Sequence, residues 1–391
     1  MTNVFRTPIA EQIWDQKYRL KHFDGTPIDE DVQDTWRRIA YHLAEAEAEP
    51  EDWAGEFYSV LENFQFIPAG RIVAGAGSGR DVTLFNCFVM GTIPDSMAGI
   101  FAMVREAALT MQQGGGIGYD FSTIRPKGAE VKGVAADASG PLSFMDVWDA
   151  MCRTVMSAGS RRGAMMATMR CDHPDIVEFI QAKADSARLR HFNLSVLVTD
   201  EFMEAVKKDG LFQLKFDGTV YDTVKARWLW DQMMMATYSY AEPGVIFIDR
   251  INEMNNLNYM EKIAATNPCG EQPLPPYGAC LLGSMNLAAF LLDDWSDLDY
   301  DKLGHAVRIA VRMMDNVVDV SNFPLEEQMK EAKLKRRIGL GVTGVGSVLA
   351  LMGIKYGSNE AKGRVRKMMR FITQQAYIAS ADLACLLYTS P

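Results

Sequence analysis

Three side chains whose types could do chemistry together stand at alternate positions: Asn267, Cys269 and Glu271, within Thr266-Asn267-Pro268-Cys269-Gly270-Glu271. In an extended backbone, side chains two apart point the same way, so an amide, a thiol and a carboxylate would share one face. Pro268 lacks an N–H and Gly270 packs nothing, which makes a poor ladder strand and a poor helix. The stretch reads as an extended finger loop. Pro275-Pro276-Tyr277-Gly278 then turns the chain, and Ala279-Cys280-Leu281-Leu282 reads as buried strand. The same spacing also fits a proline-rich surface loop with one incidental cysteine, and spacing alone leaves both readings open.

Other segments carry weaker chemical signals. Cys87 lies in Val82–Met90, an almost wholly apolar strand candidate, where it is a small core residue or a reactive thiol. Gly114-Gly115-Gly116-Ile117-Gly118 follows a helical segment instead of preceding one, so it is no dinucleotide fingerprint. Its glycines still let a ligand approach the backbone closely. Arg125, Lys127 and Lys132 form a cationic stretch, and Ser157–Gly163 is a basic loop that suits either phosphate or solvent. Cys171-Asp172-His173-Pro174 is better explained by Asp172 as a helix cap with Pro174 in the first turn than by a metal. Gly339-Leu340-Gly341-Val342-Thr343-Gly344 matches a dinucleotide pattern literally, but only Ile338 offers a strand before it.

The elements around these residues alternate. Helical patterns cover 9–47, broken at Gly25-Thr26-Pro27, and Trp53–Phe64. Further helices are expected at Ser96–Gln113, Phe144–Met156, 200–208, 222–239 and 299–318, with strands at Phe192–Val198 and Pro243–Asp249. The pattern is α/β. The 391 residues allow two to three domains or one large barrel, and 48% hydrophobic with 23% charged residues is ordinary for a globular protein. A formal charge of −10 and a pI near 5.1 argue against a nucleic-acid partner. The N-terminus has no signal core, and no apolar run reaches the roughly 18 residues of a membrane span. Six cysteines without a CxxC pair do not make a secreted disulfide scaffold. The expectation is a cytoplasmic protein with no membrane partner.

Several motifs together resemble the large catalytic subunit of ribonucleotide reductase, specifically its adenosylcobalamin-dependent class II form. They are Phe85-Asn86-Cys87-Phe88, Gln113–Gly118, Ile124-Arg125-Pro126-Lys127-Gly128, Ser139-Gly140-Pro141, Asn267–Glu271 with Cys280 eleven residues on, and Arg337-Ile338-Gly339-Leu340-Gly341. The resemblance implies a ten-stranded α/β barrel of two parallel half-barrels with the finger through its centre. It puts a helical region at 1–65 and the first half of the barrel at 66–384. It implies radical reduction of ribonucleotides, leaning to diphosphates, with adenosylcobalamin as cofactor and no metal site. A thiyl radical at Cys269 would abstract the ribose 3′-hydrogen, Glu271 would act as general base and Asn267 would hold the ribose hydroxyls. Cys87 would protonate the leaving 2′-hydroxyl, and Cys87 with Cys280 would supply two electrons, later restored by a thioredoxin-like dithiol. Asn86, Cys87, Gly116 and the finger residues Asn267, Pro268, Cys269, Gly270 and Glu271 would line the substrate site. Asp95, Arg125 and Lys132 would bind deoxynucleotide or ATP effectors, residues 183–192 would relay specificity, and the subunit would pair as a homodimer. Cys152 and Cys171 are expected to be packing residues.

The chain also departs from that family. It shows no ATP-cone segment and no counterpart of the second half-barrel, which would carry a phosphate loop, much of the cobalamin surface and a C-terminal cysteine pair. The tail 385–391 reads as non-native, including Cys385. Two other readings are a catalytically incomplete nucleotide-binding fragment and, on Gly339–Gly344, a nicotinamide-dependent dehydrogenase.

Overall fold

The computed structural model describes residue 5 and residues 7–131, 136–155 and 163–387. The chain divides into two units, one of Met1–Asn86, Cys280–Phe323 and Ala332–Pro391, the other of Cys87–Ala279 and Pro324–Glu331.

The second unit is built on five parallel strands: β1 (Cys87–Val89), β2 (Gly116–Asp120), β3 (Met165–Arg170), β4 (Phe192–Val198) and β5 (Gly244–Phe247), ordered β5-β4-β3-β2-β1. Each crossover steps to the next neighbour in one direction. A doubly wound sheet would reverse its order part-way; unidirectional winding is that of a barrel, and the sheet is the half-barrel the sequence leads one to expect. Crossover helices Met97–Gln112, Pro141–Thr154, Ile176–Gln181, Asp200–Lys207 and Ala226–Tyr240 separate the strands. Ser96 caps the first through the Gly99 N–H, and Thr199 caps the fourth through the Phe202 N–H. The aromatic rings of Tyr119, Phe121, Trp148 and Phe192 cluster with centroids 5.4–6.0 Å apart, edge-on except for the tilted Tyr119–Phe121 pair.

Several local expectations are corrected. The apolar run 82–90 is strand only over Cys87–Val89. Residues 219–225 form the second strand of a hairpin with Leu211–Phe216, so the helix expected from 222 begins at Ala226. Tertiary pairing there overrides helical periodicity. The strand expected to reach Asp249 stops at Phe247, where helix Ile248–Glu253 starts. Asp172 is no helix cap: the helix after it begins at Ile176 with Asp175 at the N-cap, and Asp172 accepts instead from Arg170 Nε and Nη2, both at 2.9 Å. His173 Nε2 lies 3.0 Å from the Ile124 carbonyl, and no cluster able to hold a metal occurs among the described residues. The basic loop 157–162 lies outside the described residues.

In the first unit, helices Pro8–Lys17, Val32–Ala44 and Pro50–Leu61 realise the N-terminal amphipathic patterns. Helix Tyr300–Val320 packs against the latter two and against Asn359–Leu387. Strand Phe66–Pro68 pairs antiparallel with Leu282–Asn286, which runs parallel to Gly339–Thr343. Gly339 and Gly341 thus sit inside a ladder, not in a turn after a strand, and the dinucleotide loop is not formed. Among the described residues no helix is long and apolar enough to cross a membrane.

One buried network pins the N-terminal helices. Asp29 accepts from the Leu20 N–H (3.1 Å), Thr35 Oγ1 (2.7 Å) and Arg38 Nη2 (3.0 Å), while Trp14 Nε1 donates to Thr35 Oγ1 (3.0 Å). Burial would raise the Asp29 carboxyl, but the Arg38 and Thr35 hydrogen bonds outweigh it and hold it below the usual range. Asp29→Ala leaves the buried Arg38 guanidinium uncompensated, and urea denaturation should show a loss of about 3–5 kcal/mol. Because the native carboxyl is depressed, its contribution is fully present above the ordinary aspartate range and is lost as pH falls from there through the lowered native value. The gap between wild type and variant should therefore narrow in acid; a gap that widens there contradicts the assignment.

Candidate active site

The register sorts the sheet into two unlike faces. Ile117, Met165 and Phe192 align across β2, β3 and β4, and they are buried beneath the crossover helices. On the opposite face Cys87 aligns with Gly116, while Val89, Gly118, Met166 and Asn193 form one row across four strands. On this inner face Gly116 and Gly118 present no side chains, and that leaves room over β2 for another piece of backbone.

The finger fills it as a hairpin. Ala265–Thr266 pairs antiparallel with Pro273–Leu274. The tip closes by Asn267 N–H to the Gln272 carbonyl (3.2 Å) and Gly270 N–H to the Asn267 carbonyl (3.0 Å). Gly270 holds φ +81°, which a β-carbon would strain. A β-carbon on Gly118 would stand 1.9 Å from the Thr266 carbonyl oxygen, so the finger seats only against glycine. At Gly116 the same position is flanked by Pro268 Cγ at 2.9 Å and Cys87 Sγ at 3.2 Å, which puts the Cys87 thiol beside the finger tip.

The turn corrects the expectation of an extended finger with three side chains on one face. Asn267 is fully buried, while Cys269 and Glu271 are exposed. The Asn267 amide does two jobs: Oδ1 accepts from the Gln272 N–H at 3.0 Å, and Nδ2 donates to Glu271 Oε1 at 2.6 Å. Amide and carboxylate are therefore joined, and the thiol stands clear between them in sequence. Thr266 Oγ1, next to Asn267, is buried without a partner among the described residues. Beyond the finger, Tyr277 OH donates to Glu106 Oε2 at 3.2 Å. Burial, with Glu106 close by, pushes the Tyr277 phenol up to about 12, so it remains a donor.

In the first unit Cys280 is buried, its carbonyl accepts from the Asn86 N–H (3.1 Å), and Asn86 Oδ1 is buried without a partner among the described residues. Asp95 and Arg125 do converge, but on each other: Nε to Oδ2 is 2.8 Å and the Arg125 N–H reaches Oδ1 at 3.1 Å. Lys132 lies outside the described residues.

A buried amide gripping a carboxylate beside an exposed thiol, with a second thiol beside the finger tip, brings together groups able to pass hydrogen atoms and protons. Residues 85–386 match the family model described as ribonucleotide reductase, barrel domain, and residues 4–81 match ribonucleotide reductase, all-alpha domain. The chain belongs to the ribonucleotide reductase family. It is 41% identical over 377 residues to the vitamin B12-dependent ribonucleoside-diphosphate reductase of Mycobacterium tuberculosis, covering 94% of this chain and 54% of the relative. The Thermoplasma acidophilum protein of that name is 38% identical over 85% of this chain and 43% of its own length. A ribonucleoside-diphosphate reductase subunit alpha from Chlamydia pneumoniae is 28% identical over 96% of this chain and 39% of the relative. The chain thus spans about half the length of the curated relatives it matches.

Asn193 escaped the sequence reading, and so did Met166, whose Cε comes within 3.8 Å of where a Gly270 β-carbon would stand. The signal was present: Asn193 and Ser195 are the polar positions, two apart, of an otherwise apolar strand.

Two outcomes follow for the chain. Gly118→Ala must displace the finger backbone, so limited proteolysis should cut the 265–274 hairpin faster than in wild type; equal rates contradict the seating described. Burial pushes the Cys152 and Cys171 thiols up to about 11, leaving on the order of 0.1% thiolate at pH 8. Peptide-mapped alkylation at that pH should therefore modify Cys269 well before either, and early labelling of Cys152 or Cys171 contradicts their packing role.

Proposed function

We propose that this chain provides the radical finger of an adenosylcobalamin-dependent reductase that converts ribonucleoside diphosphates to 2′-deoxyribonucleotides in the cytoplasm. The observation that carries the reading is the tip itself: an exposed Cys269 beside a Glu271 carboxylate held by buried Asn267. An exposed thiol suits a cofactor that must reach it from outside the hairpin. When bound, adenosylcobalamin supplies the radical initiation that side chains alone do not.

The residues then divide the work. As a thiyl radical, Cys269 takes the 3′-hydrogen atom and later returns it. Glu271 removes the 3′-hydroxyl proton, and the Asn267 bond fixes the carboxylate where it can do so. Cys87, beside Gly116, donates a proton to the departing 2′-hydroxyl, which leaves as water. Cys87 and Cys280 together give up two electrons and form one disulfide, and a thioredoxin-like dithiol reduces it again. In the second unit Thr266 brings a buried oxygen that a ribose hydroxyl could satisfy; in the first, Asn86 brings another. Deoxynucleotide or ATP effectors are placed at Asp95, Arg125 and Lys132, where an effector phosphate would compete for the Arg125 guanidinium, and pairing of two subunits is part of the same reading.

The chain extended with the C-terminal portion of the Mycobacterium tuberculosis relative provides the test. Cys269→Ser is nearly isosteric and should bind nucleotide as wild type does, yet form no deoxynucleotide. Retained turnover beyond a trace removes the radical assignment. Oxidation after one turnover without dithiol should yield a peptide cross-linked between Cys87 and Cys280; a disulfide elsewhere removes that pair.

A further inference from the structure

Asn193 is absorbed by none of the roles above, yet it is where the sheet grips the finger. Its Nδ2 donates to the Pro268 carbonyl at 2.6 Å. That oxygen belongs to the same planar peptide as the Cys269 nitrogen, so fixing one fixes the other. The bonds within the hairpin set the shape of the tip; this one sets where the tip sits on β4.

The other side of Asn193 leads to a loop. Its own nitrogen shares a peptide with the Phe192 carbonyl, which accepts from Lys183 Nζ at 2.7 Å. The same ammonium donates to the Leu189 carbonyl at 2.8 Å and pairs with Glu242 Oε2 at 3.3 Å. An ammonium has three protons, and these three acceptors use them all. Lys183 thus closes residues 183–192 into a ring, and the last peptide of that ring carries Asn193. Arg188 ties the same loop to Asp146 at 3.0 Å, and the His191 N–H donates to Asp149 at 3.0 Å. Loop and finger thus meet at the Phe192–Asn193 peptide, which β4 also holds through its ladder with β3.

We propose that Asn193 is a positioning residue for Cys269, and that through the Lys183 clamp it makes the placement of the thiol depend on the conformation of loop 183–192. The inference rests on Cys269 being the reacting thiol only for its catalytic consequence; the mechanical link stands on its own.

The test uses the chain as it is. Hydrogen exchange of the finger peptide and peptide-mapped alkylation of Cys269 are measured for wild type, Asn193→Ala, Asn193→Asp and Lys183→Met. Asn193→Asp keeps the shape of the side chain and removes the donor, so it decides the matter should the alanine variant fold poorly. Protection of Cys152 and Cys171 reports an intact fold. Both Asn193 variants should exchange the finger amides about five- to tenfold faster, the worth of one hydrogen bond, with a changed Cys269 alkylation rate. Lys183→Met touches no finger atom and should shift both readouts in the same direction. Unchanged finger exchange in the Asn193 variants overturns the positioning role. A change in those variants with none in Lys183→Met overturns the link to the loop. In the extended reductase, Asn193→Ala should lower kcat with little change in KM; a rise in KM alone would overturn its action on the reacting thiol. Because exchange and alkylation need no turnover, their failure is distinguishable from failure of the radical assignment.

Discussion

The site depends on a close approach of two backbones. The finger lies against β2 because Gly116 and Gly118 present no side chains, and the Thr266 carbonyl occupies the space a Gly118 β-carbon would need. Interiors pack too tightly to absorb such an overlap without moving the chain. From that contact the rest follows in order. The hairpin is seated over the inner face, Pro268 falls beside Cys87, and the Asn193 amide reaches the peptide of Cys269. Function here is carried by what the strand lacks as much as by what it displays.

Asn267 shows how a buried amide can be structural and chemical at once. Its backbone closes the turn, its oxygen takes the Gln272 N–H, and its nitrogen binds Glu271. Each bond contributes on the order of 1 kcal/mol net, but an orphaned polar atom at so buried a site would cost more than a bond provides. The residue is therefore held by its surroundings, and it holds the carboxylate in turn. Cys269 is left exposed.

Much of this was legible beforehand. The types and spacing of Asn267, Cys269 and Glu271 singled out the stretch, although spacing alone also fitted a proline-rich surface loop, and β4 was bounded correctly by its apolar run from Phe192 to Val198. The finger's shape was misread because Pro268 and Gly270 forbid regular structure without saying which irregular one replaces it. A glycine at φ +81° and two hydrogen bonds chose a hairpin turn over an extended loop. The glycines after helix Met97–Gln112 read as a loop open to a ligand, since nothing local reveals that Gly116–Asp120 pairs on both sides. Asn193 went unnoticed because its partner is 75 positions away. Likewise Asp95 and Arg125 were recognised as one place, but their pairing with each other follows from three-dimensional distance alone.

The central question is whether hydrogen at the ribose 3′ carbon passes through Cys269. The most direct measurement is discrimination against tritium during reduction of a 3′-tritiated ribonucleoside diphosphate, using the chain extended with the C-terminal portion of its Mycobacterium tuberculosis relative. Adenosylcobalamin and a dithiol would be present. Because the 3′-hydrogen bond must break before the atom is returned, the tritiated substrate should be reduced more slowly than the protiated one, and reduction should vanish when Cys269 becomes serine. Equal rates for the two substrates, or reduction that persists without the thiol, would contradict the role of Cys269.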